Sequence, residues 1–275
     1  MNAPVRLYSD GDGGARPGAQ AVLPLLDLER AAGELPALSA MLGITSQGVP
    51  LIVDLLRRET GHILAFGPEG VGKSTLLRTA MASICLHSSP SQVGLFAIDL
   101  SGVQLSLFEA IPHRLAPPAW EVYDACQLLT WLGAEAEDRL ERGIRSPALV
   151  LMIDDLDWVS DPDQVQSLHS LRAILQIGIA AGLHVLAAGS RLPGFLRHRD
   201  HDGVVLATNT SGEWARSPGD FVFKAAKWTA SAQVAFLSAL DLNQLVVRLR
   251  GGEGTPWGSS RVRAARELIS LEAAE

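Results

Sequence analysis

The stretch Gly67-Pro68-Glu69-Gly70-Val71-Gly72-Lys73-Ser74 fits the phosphate-binding pattern G-x-x-x-x-G-K-[ST]. That pattern works only between a strand and a helix, and the flanking residues supply both. His62-Ile63-Leu64-Ala65-Phe66 reads as a short buried strand, and Leu76, Leu77, Ala80, Met81 and Ile84 recur behind the loop at helical spacing. Glycines let the backbone wrap closely around phosphate oxygens with its N–H groups turned inward. The helix N-terminus adds partial positive charge. Lys73 then reaches the β- and γ-phosphates, and the Ser74 hydroxyl faces Mg²⁺. Nucleotide contact is assigned to Gly67, Pro68, Glu69, Gly70, Val71, Gly72, Lys73, Ser74 and Thr75, with Lys73 also a catalytic candidate.

The chain has 275 residues, 47% hydrophobic and 19% charged, which suits one large globular domain with short additions. A formal net charge of -7 argues against coating nucleic acid by bulk electrostatics, although a local basic loop remains compatible with it. Cys85 and Cys126 sit in no metal-ligand or C-x-x-C spacing and read as two buried, reduced thiols of a cytoplasmic protein. No apolar run approaches the roughly 20 residues of a membrane helix, and the N-terminus lacks a secretory pattern. Residues 1–20, rich in Gly, Pro and Asp, read as a disordered tail.

Short β-like runs alternate with helical patterns, so the expected fold is α/β: a mostly parallel sheet with helices on both faces. The strands are Ile63 to Phe66, Gly94 to Ile98, Ala148 to Ile153, His184 to Ala188 and Val204 to Ala207. One helix is expected from Glu121 to Leu140. A second opens at Asp161-Pro162 and carries Val165, Leu168, Leu171 and Leu175. The core is expected to span residues 21–212. Residues 213–275 form an extension in which 221–223 and 234–237 pair as a hairpin. Leu245 to Leu249 is ambiguous between helix and strand, and residues 259–275 read as an amphipathic helix with Arg261, Arg263 and Arg266.

The apolar strand Leu149 to Ile153 ends in Asp154-Asp155. In phosphate-loop enzymes the first such acid serves Mg²⁺ and the second polarises the attacking water. Asp154 is therefore the metal-side acid beside Ser74, and Asp155 the general-base candidate. The plain alternative is that both acids cap the following turn.

Several ordered stretches resemble the motor domain of the FtsK/SpoIIIE DNA translocases, within the FtsK–HerA class of ring ATPases. Met41-Leu42-Gly43 and Gly48 to Leu55 look like that family's first strands, and Asp154-Asp155 stands at its "D-E" position. The run from Leu95 to His113, with Ile98-Asp99 and Ile111-Pro112-His113, resembles its "I-D-P-K-x-V-E-L-S-x-Y-E-G-I-P-H" segment. Ala180-Ala181-Gly182-Leu183-His184-Val185-Leu186 resembles its "A-A-G-I-H-L-V-L" strand. The resemblance implies a RecA-like P-loop NTPase fold, ATP with Mg²⁺, double-stranded DNA as partner, and a ring, typically a hexamer. The family's membrane anchor and winged-helix domain are not seen.

The departures bear on hydrolysis. Asp155 is one methylene shorter than the family's Glu, Ser190 replaces its Gln after the fourth strand, Ser101 replaces a Lys, and Ile179 replaces an Arg. These substitutions leave a second reading open: a subunit that binds ATP and assembles into a translocase ring, but hydrolyses little. A small-molecule kinase or GTPase is disfavoured, because neither an N-K-x-D motif nor a substrate lid is present. Arg191, Arg197 and Arg199, with His198 and His201, form a basic stretch that either contacts DNA or a neighbouring subunit, or is a solvated loop. His113 and His184 read as structural, and the scattered Trp residues as packing.

Overall fold

The computed structural model describes residues 23–102, 105, 110–196, 203–209 and 217–250. Arg197, His198, Arg199, His201, Arg261, Arg263 and Arg266 lie outside them, as do the expected tail and the expected terminal helix. The elements in chain order are α1 (Leu25–Ala32), β1 (Ser39–Thr45), β2 (Pro50–Asp54), β3 (His62–Phe66), α2 (Lys73–His87), β4 (Val93–Asp99) and α3 (Val122–Glu141). They continue with β5 (Ala148–Asp154), α4 (Val165–Ile177), β6 (Leu183–Gly189), β7 (Val204–Thr208), β8 (Asp220–Lys224), β9 (Thr229–Val234) and α5 (Ala239–Arg250).

The strands form one sheet in the order β2-β1-β9-β8-β7-β3-β6-β5-β4. From β7 to β4 every pairing is parallel. From β2 to β7 every pairing is antiparallel. The sheet is thus mixed, not mostly parallel. An apolar strand pattern says which faces are buried but not which neighbour a strand takes. Here the β8–β9 hairpin inserts beside β7 and carries the β1–β2 hairpin on its far side. The hairpin partner of β8 is Thr229–Val234, with Phe221 opposite Ala232, so the expected segment 234–237 lies mostly beyond it. Leu245 to Leu249 is helical, within α5.

Alternation along the buried strands builds two cores. Val150 and Met152 of β5 face one layer with Ile63 and Ala65 of β3, packed under Leu76, Leu77, Ala80 and Met81 of α2. Leu149, Leu151 and Ile153 face the other with Leu64 and Phe66, under Leu128, Leu129 and Leu132 of α3 and Leu171 and Ile174 of α4. Each fully buried leucine of this kind contributes about 1.5–3 kcal/mol. A third cluster, around Leu25, Met41, Ala82, Leu237 and Leu245, seats α1 and α5 against α2. Gly43 is required where β1 meets β9: a Cβ there would lie 1.9 Å from the Gln233 carbonyl oxygen. Trp131 packs against Phe96 with ring centres 5.5 Å apart. Cys85 is buried, but Cys126 is only half-buried, and its thiol donates to Gln164 Oε1 at 2.8 Å.

His62 and His184 stand on neighbouring strands with ring centres 6.5 Å apart. The Val185 N–H donates to His62 Nδ1 at 3.0 Å, and His184 Nδ1 donates to the Gly61 carbonyl at 2.9 Å. Burial, reinforced by His184, pushes His62 down to about 3, and burial pushes His184 down to about 4. Both are neutral in the folded protein near neutral pH. In the unfolded chain they take up protons once pH drops below about 6.5. Their contribution to stability is therefore full above that pH and is lost as pH falls toward the folded values. Each adds a slope of about 1.4 kcal/mol per pH unit inside the window. The urea midpoint is expected to fall between pH 7 and pH 5, measured by equilibrium unfolding. A midpoint flat over that range would contradict the neutral burial of the pair.

Candidate functional site

The C-terminal ends of β3, β4, β5, β6 and β7 lie along one edge of the parallel half-sheet, where open α/β folds bind ligands. At that edge the chain leaves β3 at Phe66, turns through residues 67–72, and enters α2 at Lys73. Gly70 and Gly72 have φ of 78° and 99°, which side-chain-bearing residues rarely adopt. Gly72 caps α2, and its carbonyl accepts the Leu76 N–H at 2.9 Å. The first-turn amides of α2 have no partners within the helix, so Lys73, Ser74 and Thr75 sit where an anion is favoured. Lys73 Nζ donates to the carbonyls of Gly67 and Pro68, both at 2.8 Å. Pro68, Glu69 and Gly70 are exposed, while Gly67 is buried.

The loop is braced from outside the motif. Gly219 donates its N–H to the Val71 carbonyl at 2.8 Å, and the Asn209 N–H donates to the Phe66 carbonyl at 3.1 Å. The Asn209 side chain donates from Nδ2 to the Asp220 carbonyl at 2.6 Å. A Cβ on Gly72 would come within 3.2 Å of Gly219 N, and one on Gly67 within 3.1 Å of Asn209 O. These contacts tie the end of β7 and the start of β8 to the loop. Reading the sequence missed both residues, since a lone asparagine and a lone glycine in the C-terminal part carry no pattern.

Asp154 ends β5 opposite Asp99, the last residue of β4. The Ser74 side chain lies close enough to the Asp154 carboxylate to favour its charged form. Asp154 is only 7% exposed, and its Oδ2 has no partner. Burial holds its carboxyl above the ordinary range, and the neighbouring Asp99 adds to this. Ser74 and Arg78 pull the other way. A hard-oxygen pair with one buried carboxylate oxygen unpartnered suits Mg²⁺, which takes few protein ligands and fills the rest with phosphate and water. Asp99 is satisfied locally, accepting from Ser101 N and Oγ at 3.1 and 2.6 Å and from Leu105 N at 2.8 Å.

Asp155 follows with φ of 69° and is exposed. Its Oδ1 accepts the Asp157 N–H at 2.9 Å. Asp157 in turn accepts the Ser190 N–H on both carboxylate oxygens, at 3.0 and 3.1 Å. Arg191 is exposed just beyond. Ile179 lies over Gly61 and Gly203, where a Cβ on either glycine would meet its side chain at 2.4 or 2.3 Å. His113 donates from Nε2 to the Ser88 carbonyl at 2.7 Å, remote from the loop. The site therefore gathers the phosphate loop, Ser74, Asp154, Asp155 and Ser190 at one sheet edge.

Comparison with known proteins fits this geometry. Residues 24–146 match the model of the FtsK/SpoIIIE family. DNA translocase SftA of Bacillus subtilis (strain 168) is 30% identical over 177 residues, 56% of this chain and 18% of that protein. A DNA translocase FtsK of Leptospira interrogans is 25% identical over 258 residues, 78% of this chain and 27% of that protein. The chain thus spans between 18% and 27% of the length of these relatives. Among solved structures, the cytoplasmic domain of the Thermomonospora curvata Type VII secretion ATPase EccC superposes with a TM-score of 0.68 at 20% identity, over 86% of this chain and 35% of that one. The pCW3 conjugation coupling protein TcpA with ATPgS gives 0.66 at 18% identity, over 83% of this chain and 74% of that one. At these identities the likeness is one of fold, consistent with a RecA-like arrangement. The span matched by the family model, residues 24–146, holds the phosphate loop.

Proposed function

We propose that this chain is an ATP-driven motor of the FtsK/SpoIIIE type that acts on double-stranded DNA as part of a ring, typically a hexamer. The observation that carries the reading is the buried Asp154 carboxylate, near Ser74 and beside the braced phosphate loop, with its Oδ2 unpartnered. The amides of residues 68–75 hold the nucleotide's phosphates. Lys73 exchanges its two carbonyl partners for phosphate oxygens. Ser74 and Asp154 would hold Mg²⁺, whose charge offsets that of the phosphates. Asp155 takes the proton of the attacking water as general base. We place the domain in the cytoplasm. Both cysteines are free, and no helix among the described residues is long and apolar enough to cross a membrane.

Lys73→Ala is expected to weaken ATP·Mg²⁺ binding strongly in isothermal titration, and Asp154→Asn to weaken the Mg²⁺-dependent part. Equal affinity in the parent and Lys73→Ala proteins would remove the nucleotide assignment.

Asp155→Asn keeps the side-chain shape but cannot accept a proton, so kcat should fall about 10²–10⁴-fold while ATP affinity holds. Asp155→Glu extends the carboxylate and should raise turnover where the rest of the site is competent. An unchanged kcat in Asp155→Asn would end its assignment as base.

A translocase should also show ATPase activity stimulated by long duplex DNA, with DNA affinity falling steeply as salt rises. On this acidic chain the phosphate contacts must be concentrated in few loops, and Arg191, Arg197 and Arg199 are the nominated ones. Steady-state ATPase that is absent with and without DNA would favour the second reading, a ring subunit that binds nucleotide without turning it over.

A further inference from the structure

The turn after β5 is held by one residue from two directions. The Asp157 peptide N–H fixes Asp155 Oδ1 at 2.9 Å. The Asp157 carboxylate receives the Ser190 N–H on both oxygens, at 3.0 and 3.1 Å. Beside them the Leu156 N–H donates to the Ala188 carbonyl at 2.6 Å. The end of β5 and the end of β6 are thereby joined at the point where Asp155 adopts its left-handed backbone, with φ of 69°. Such a conformation persists in a non-glycine residue only where surrounding contacts hold it.

The end of β6 is shaped to accept this contact. A Cβ on Gly189 would lie 3.0 Å from Asp157 Oδ1 and 3.2 Å from Phe66 Cε1, so glycine lets the carboxylate approach. The Gly189 carbonyl also accepts the Gly67 N–H at 3.3 Å, so the first residue of the phosphate loop rests on the same strand end. A carboxylate that accepts a backbone N–H makes a charge-assisted bond, stronger than the neutral bonds of the sheet around it. Asp155 itself stays exposed, so the Asp157 N–H orients its carboxylate without burying it.

We infer that Asp157 is a positioning residue for hydrolysis: it locks the Asp155 carboxylate and the Ser190 backbone into one unit aligned on the phosphate loop. The inference rests on the reading of Asp155 as general base. Displacement of a reacting group by about 1 Å costs on the order of 10²-fold in rate, so the link should be visible in kcat and not in nucleotide affinity.

The test uses the full chain with three substitutions: Asp157→Ala, Asp157→Asn and Gly189→Ala. Each is measured for steady-state ATPase activity, affinity for a non-hydrolysable ATP analogue, thermal melting and amide exchange at Ser190. Asp157→Ala is expected to lower kcat roughly tenfold to a hundredfold with analogue affinity unchanged and Ser190 exchange accelerated. Asp157→Asn keeps an oxygen facing the Ser190 N–H and should recover most of the kcat. Gly189→Ala crowds the same contact from the other strand and should lower kcat by an independent route. Unchanged kcat in Asp157→Ala, or a loss matched by equal losses of analogue affinity and melting temperature, would overturn the positioning role. So would failure of Asp157→Asn to restore rate. A parent protein without ATPase activity sinks the hydrolysis reading instead. The Ser190 amide then decides the link alone, and protection unchanged in Asp157→Ala would overturn it.

Discussion

The phosphate loop between Phe66 and Lys73 is held in shape by backbone contacts from outside its own segment. The hydrogen bond from the Gly219 N–H to the Val71 carbonyl, at 2.8 Å, does part of that work from outside. It succeeds because Gly72 has no side chain in the way: a Cβ there would sit 3.2 Å from Gly219 N. Gly219 is itself anchored, since its carbonyl accepts the Val234 N–H at 2.8 Å. The strands on the antiparallel side are therefore mechanically continuous with the loop. Asn209 closes the same circuit from β7, spanning the Phe66 carbonyl and the Asp220 carbonyl.

The second constraint is electrostatic. Asp99 and Asp154 end adjacent strands in register, and both are buried. The fold resolves this asymmetrically. Asp99 spends its acceptors on three donors of the turn that follows it, whereas Asp154 keeps Oδ2 unpartnered. A buried carboxylate oxygen without a partner costs free energy. A divalent cation would repay that cost and reverse the upward shift of the Asp154 carboxyl. The unpartnered oxygen is what the proposed Mg²⁺ role of Asp154 rests on.

The sequence made some of this plain and hid the rest, for identifiable reasons. The segment from His62 to Ile84 was legible because the glycine spacing, the lysine and the flanking apolar patterns all constrain one local geometry. The strand ends at Asp99 and Asp154 were legible because apolar runs stop abruptly at acids. Sheet order was not legible, since β8 and β9 alternate like any half-buried strands and nothing in Phe221 or Ala232 names the neighbour. Asn209 and Gly219 act through single backbone groups, which leave no composition signal. Asp157 was hidden among three acids in four residues, and only the approach of Ser190 distinguishes it from Asp155.

The bracing of the loop by the β8–β9 hairpin also sets an order on how the molecule comes into being. A ribosome delivers β1 and β2 first, yet β1 finds its second sheet neighbour only when residues 232–234 arrive. The phosphate loop and all five parallel strands are complete by Thr208, but the Gly219 contact is not available until later still. A nascent chain can therefore display the whole nucleotide motif while its loop remains unbraced. Domains generally fold as units during synthesis, and long-range strand pairing is the slow part. The brace on the phosphate loop is thus completed only with the hairpin, after the whole motif has been made.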